Sequence, residues 1–186
     1  MARLWSPKIK DDPLAFVMFA FPWGVKGTPL EHFNGPRKWQ REVLSEIAEH
    51  IKANNGKIDY ETFRQSVSSG RGIGKSALVS WITIWMLSTR IGSTTIISAN
   101  SESQLRSITW AEITKWLAMA INSHWFEVSA TRLMPAKWLT ELVERDLKKG
   151  TRYWNVEGRL WSAENPDAYA RSEEHTSELQ SHSFIS

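Results

Sequence analysis

The chain contains no cysteine, which excludes disulfides and thiolate metal sites and fits an intracellular setting. Histidine offers no substitute ligand set. His175 and His182 stand in the last sixteen residues, while His32, His50 and His124 are scattered without ligand spacing, so no zinc-type site is expected. Long hydrophobic runs are also missing. The longest apolar stretch, "PLAFVMFAFPW" at 13–23, is about half the length that spans a bilayer. It is expected to be a buried helix in a protein with no membrane partner. The opening "MARLWSPKIKDDP" meets acids and a proline before any apolar run forms, so no secretory signal is read there. Internal repeats and low-complexity segments are absent. One further absence concerns chemistry: residues 1–170 hold no run of four apolar residues followed by an acid pair, and "ELVERD" is charged throughout and reads as a helix face.

What is present suits one domain with a proper core: 186 residues, 41% of them hydrophobic. The net charge of +3 and a pI near 9.2 are compatible with a polyanionic partner. Most of the eleven tryptophans fall at helical spacing, which points to core packing rather than to base stacking. The final residues, "RSEEHTSELQSHSFIS" at 171–186, have no apolar period and little to bury, so a disordered tail is expected. Residues 171–181 resemble the frame translation of the adapter oligonucleotide used in short-read sequencing libraries. On that reading the native text is residues 1–170. The tail carries one arginine against three glutamates, so the preceding residues carry +5.

Apolar spacing predicts a helix over 36–53, opened by Gly35-Pro36, with Trp39, Val43, Leu44, Ile47 and Ile51 on one face. A short strand is expected over 63–68, although "FRQSV" is polar for a central strand. A helix buried on several sides is expected over 75–89 and a strand over 94–98. An amphipathic helix over 102–121 should turn Leu105, Ile108, Ile113, Trp116, Leu117 and Ala120 inward. A strand over 126–130, a helix over 136–148 and two short strands within 151–162 complete the pattern. Strand, loop, helix, strand, helix is the start of a βαβ arrangement, so the expected class is α/β with a largely parallel sheet.

Between the expected 63–68 strand and the buried helix lies "SSGRGIGKSALVSW". The phosphate-loop pattern is G-x-x-x-x-G-K-[ST]; Gly74-Lys75-Ser76 satisfies its end, and Ser69 occupies the first glycine position. Such a loop needs backbone N–H groups aimed at a β-phosphate, hence Gly70, Gly72 and Gly74 around Ile73. Lys75 would reach the β- and γ-phosphates and the Ser76 hydroxyl would coordinate Mg²⁺. The N-terminus of the following helix adds its dipole. The alternative is a glycine-rich turn that happens to precede a helix. Arg71 stands where a cation would lie beside the γ-phosphate and act as an arginine finger. A surface arginine in a salt bridge is the other reading.

The run "SGRGIGKSALVSW", with "TTIISANSESQLRSITWAEITKW", "WSAENPDAYA", "DPLAFVMFAFPWG" and "GPRKWQREVL", resembles the ATPase domain of the large terminase subunit of tailed bacteriophages over most of residues 10–170. The resemblance implies a partial P-loop NTPase of RecA-like fold binding ATP and Mg²⁺. It also implies a motor that packages double-stranded DNA into the procapsid, a C-terminal nuclease domain, and a host-cytoplasmic location, transiently at the portal. Portal protein, small terminase subunit and a ring oligomer are the implied partners. Family members carry an arginine within the loop, which favours the finger role for Arg71. Gln40, behind Trp39, resembles the adenine-reading glutamine of helicase-like ATPases; an amide can pair bidentately with adenine, and a solvated helix glutamine is the alternative.

The family's acidic strand, whose Asp supports Mg²⁺ and whose Glu activates water, would follow "NPDAYA", where the adapter-like text begins. The chain is therefore expected to be the front part of a terminase, an incomplete fold with the phosphate clamp but without turnover. Two other readings stand beside it: another RecA-like ATPase or helicase fragment, and a nucleotide- or DNA-binding fragment without catalysis.

Overall fold

A computed structural model describes residues 1–160 apart from 2, 58, 60, 69 and 71. Two proline-started helices come first, α1 (Pro7–Lys10) and α2 (Pro13–Ala20). Proline suits the first helical turn because its missing N–H has no intrahelical partner there. Asp12 caps α2 by accepting from Ala15 N at 2.9 Å, and Phe16, Val17 and Ala20 are buried. The 13–23 stretch thus holds the expected buried helix, ending where Phe21 turns extended ahead of Pro22.

Helix α3 (Lys38–Asn54) and helix α4 (Lys75–Thr89) fall where the apolar spacing predicts them. On α3, Val43 and Leu44 are buried while Trp39, Ile47 and Ile51 pack half-buried on the core. Helix α4 is the centre of the molecule. Leu78, Trp81, Ile84, Trp85 and Leu87 are all buried, as its nearly continuous apolar text requires. Indole donors fasten its C-terminal end to the rest. Trp154 Nε1 donates to Leu87 O at 2.8 Å, Trp5 Nε1 donates to Ser88 O at 2.9 Å, and Trp85 Nε1 donates to Lys10 O at 3.0 Å. A buried indole N–H usually finds such an acceptor, which spares it the cost of losing water.

Strand β1 (Thr94–Ala99) follows, then a helix whose first part, Gln104–Trp110, is π-wound and runs into α5 (Ala111–Met119). A short 3₁₀ turn, Ser123–Trp125, leads into the hairpin of β2 (Phe126–Val128) and β3 (Arg132–Pro135). Helix α6 (Lys137–Asp146) and strand β4 (Asn155–Leu160) complete the fold. The four strands lie in the order β1-β4-β3-β2. Only β1 and β4 run parallel; β3 is antiparallel to both β4 and β2.

The class is α/β, but the sheet is mixed rather than largely parallel. The cause is the tight β2–β3 hairpin, which places an antiparallel strand beside β4. Strand β3 has only four residues and ends in proline, too short to leave a period in the sequence; Leu133 on it is nonetheless fully buried. Within 151–162 the described residues form one strand, not two. The strand expected over 63–68 does not form. Residues 61–68 pair with nothing in the sheet and are exposed except for Phe63, which packs on the His50 ring at 5.1 Å. A segment whose apolar side chains are only Phe63 and Val67 has too little to bury as a central strand.

The π-winding corrects another expectation. With an extra residue in the turn, Ile108 swings outward to 57% exposure while Trp110 turns in and donates to Ser129 O at 3.0 Å. Leu105, Ile113, Trp116, Leu117 and Ala120 remain on the inner face, as expected. The "WSAENPDAYA" segment and the 171–186 tail lie outside the described residues. No helix among the described residues is long and apolar enough to cross a membrane.

Candidate nucleotide site

The glycine loop reaches α4 through two left-handed backbone positions, Gly72 at φ +77° and Gly74 at φ +93°. A side chain is strained at such angles, so glycine is required by the turn itself. Gly74 is the residue that opens α4. Its carbonyl accepts from Leu78 N at 3.2 Å, which leaves the N–H groups of the first turn without intrahelical acceptors. Those donors, with the positive end of a fifteen-residue helix, make an anion-favouring end. Lys75, half-buried, folds back so that its Nζ donates to Gly70 O at 3.3 Å. Ile73 is half-buried and Ser76 exposed at the same end. Ser69 and Arg71 lie outside the described residues.

Gln40 comes to this loop from α3. Its side chain is buried, 3% exposed, and bridges two backbones. Nε2 donates to Gly74 O at 2.9 Å, and Oε1 accepts from Arg37 N at 2.8 Å, capping α3. The fold therefore brings Gln40 against Gly74 at the start of α4, where Gly70, Gly72, Ile73, Lys75 and Ser76 also stand.

Beside them is a cavity of about 310 Å³ that the sequence did not reveal. Gln40, Gly74 and Ala77 form the side nearest the loop, and Leu30 and Phe33 come from the turn-rich segment after α2. Three indoles also line it. Trp23 meets Trp81 edge to face at 5.7 Å and 79°, and Trp81 meets Trp116 at 5.0 Å and 84°. Such geometry places the positive ring edge on the negative face of its neighbour. Trp81 is 3% exposed, and its Nε1 has no hydrogen-bond partner. Arg37 and Lys115 add cationic side chains, and Lys115 is held by Glu112 at 3.3 Å. The cavity is aromatic and flanked by donors, and Gly74 is the described loop residue that lines it. A planar ring that carries acceptor atoms and an attached anion suits that arrangement.

The missed residues come from three separated segments, near 23–37, 77–81 and 115–119. The one sequence signal was the density of tryptophan and phenylalanine in "FPWGVKGTPLEHFNGPRKW", which reads equally well as core. Among the described residues no group of three or more His, Cys, Asp or Glu side chains is placed to hold a metal ion. No family model, curated protein or solved structure matches the chain.

Proposed function

We propose that the chain belongs to the ATPase region of a large terminase subunit of the tailed-bacteriophage kind. It holds ATP with the phosphates on the 69–76 loop and the base in the aromatic cavity. One observation supports the reading: Gly74 both opens α4 and lines the aromatic cavity, so a ligand with its anion at the helix start could have its ring in the cavity. Lys75 and the first-turn N–H groups would hold the β- and γ-phosphates, and the Ser76 hydroxyl would ligate Mg²⁺. When bound, Mg²⁺ supplies neutralisation of phosphate charge. Arg71 is assigned the finger role from its place in the loop sequence alone.

In the intact family this chemistry drives double-stranded DNA into the procapsid, with portal protein, small subunit and a ring of motor subunits as partners, in the host bacterial cytoplasm. A nucleotide-binding piece without turnover is the second reading. It is favoured for this chain by the lack, in residues 1–170, of an apolar strand ending in an acid pair. A helicase-type RecA-like ATPase would share the loop and differ in its partners.

The test is calorimetric titration of the 186-residue chain with MgATP. Binding should occur and fall about tenfold or more in Lys75→Ala, the scale of one charge-assisted contact. No binding, or equal binding by the variant, contradicts the proposal.

A further inference from the structure

We infer that Gln40 is a positioning residue for the phosphate loop: its amide clasps Gly74 to the start of α3. This rests on the nucleotide reading above and deepens it.

The amide is committed to main chain at both ends. Oε1 takes the Arg37 N–H and Nε2 gives a hydrogen to Gly74 O, both within 2.9 Å, in a side chain only 3% exposed. The Gly74 carbonyl already receives Leu78 N, so the clasp fills the second lone pair of that oxygen. Packing is equally close, since a Cβ at Gly74 would lie 2.9 Å from Gln40 Nε2. A glutamine in this state has one amide hydrogen and one lone pair left, so the clasp on Gly74 is independent of whether the amide also meets a base, and the ligand comparison below separates the two. The cavity's own polar side chains besides Gln40 are Arg37 and Lys115. Both are donors only, so they accept purines of either kind through ring nitrogens or carbonyl oxygens.

The test uses the whole chain with two variants, Gln40→Met and Gln40→Glu, and three ligands: ATP, GTP and inorganic tripolyphosphate. Gln40→Met removes both bonds at nearly constant shape. Its affinities for all three ligands should fall by one common factor, about five- to tenfold, the scale of one or two hydrogen bonds. Hydrogen exchange at backbone amides 72–78 should accelerate. Gln40→Glu keeps the acceptor for Arg37 N but loses the donor to Gly74. It should retain protection of the first turn of α3 while the loop amides still exchange faster. A selective loss of ATP with GTP and tripolyphosphate unchanged overturns the inference and makes Gln40 a base reader. Loop exchange equal to the parent in both variants overturns it as well, whether or not any ligand binds. Failure of the unaltered chain to bind any of the three, with the loop exchange responding as stated, counts against the nucleotide reading and leaves the clasp standing.

Discussion

Gly74→Ala concentrates the physical argument of the site in one methyl group. The residue sits at φ +93°, outside the regions an L side chain prefers, and forcing alanine there costs about 1–2 kcal/mol. The added Cβ would meet Gln40 Nε2 at 2.9 Å, closer than real Cβ contacts. Gln40 must then withdraw, losing its bond to Gly74 O and loosening the cap it gives Arg37 N. Each of these is worth about 1 kcal/mol. The sum is about 3–4 kcal/mol, or on the order of 10 °C in Tm for a chain of this size. Gly70→Ala is the internal control, because a Cβ there meets nothing within 4 Å and the backbone is not left-handed. It should stay within about 0.5 kcal/mol of the parent. Urea unfolding followed by tryptophan fluorescence measures both. If Gly74→Ala and Gly70→Ala unfold at the same denaturant concentration, the left-handed turn and the Gln40 clasp do not hold the loop as described.

Trp154→Phe should destabilise by about 2–3 kcal/mol in the same assay, since it removes volume from a fully buried site and orphans Leu87 O. Glu157 is raised by burial, but hydrogen bonds from Arg132 and Arg159 outweigh this and hold its carboxyl below the usual value of 4.5. A depressed carboxylate stabilises the fold above the unfolded value, and that stability is lost as pH falls through the folded one. The deficit of Glu157→Gln, about 1 kcal/mol at neutral pH, should therefore shrink below about pH 4.5; a deficit that persists at pH 3 contradicts the ion-pair account. The isolated chain should release no phosphate from ATP, and steady release abolished by Lys75→Ala would refute that. In a longer version that does hydrolyse ATP, Arg71→Ala should lower kcat by about a thousandfold while leaving affinity nearly unchanged. Weakened binding at normal kcat would make Arg71 a ground-state contact.

Helices were the legible part of this sequence. The apolar face of α3 and the all-round apolar text of α4 each repeat over three or more turns, long enough for one pattern to dominate. Strands were harder. β3 is four residues long, and the polar 63–68 segment was given a strand by its place before the loop rather than by what it could bury. The helix expected over 102–121 ends at Met119 and differs at Ile108, because a π-turn shifts the face by one residue and leaves no mark in composition. Loop residues were legible because left-handed backbone and close anion approach demand glycine. The aromatic cavity was not: Trp23, Trp81 and Trp116 become one wall only when α4, α5 and the segment after α2 have packed. Gln40 stands out in the sequence, and its bond to Arg37 N is local to the start of α3, but its bond to Gly74 O depends on a tertiary approach between residues 34 positions apart.

Photolabelling with an azidoadenine analogue of ATP, mapped by peptide mass spectrometry, tests the joined loop and cavity most directly. The label should fall on residues 23–37 and 115–119, be displaced by excess tripolyphosphate, and vanish in Lys75→Ala. Labelling elsewhere, or cavity labelling indifferent to both tripolyphosphate and Lys75, would show that the loop and the cavity do not hold one ligand.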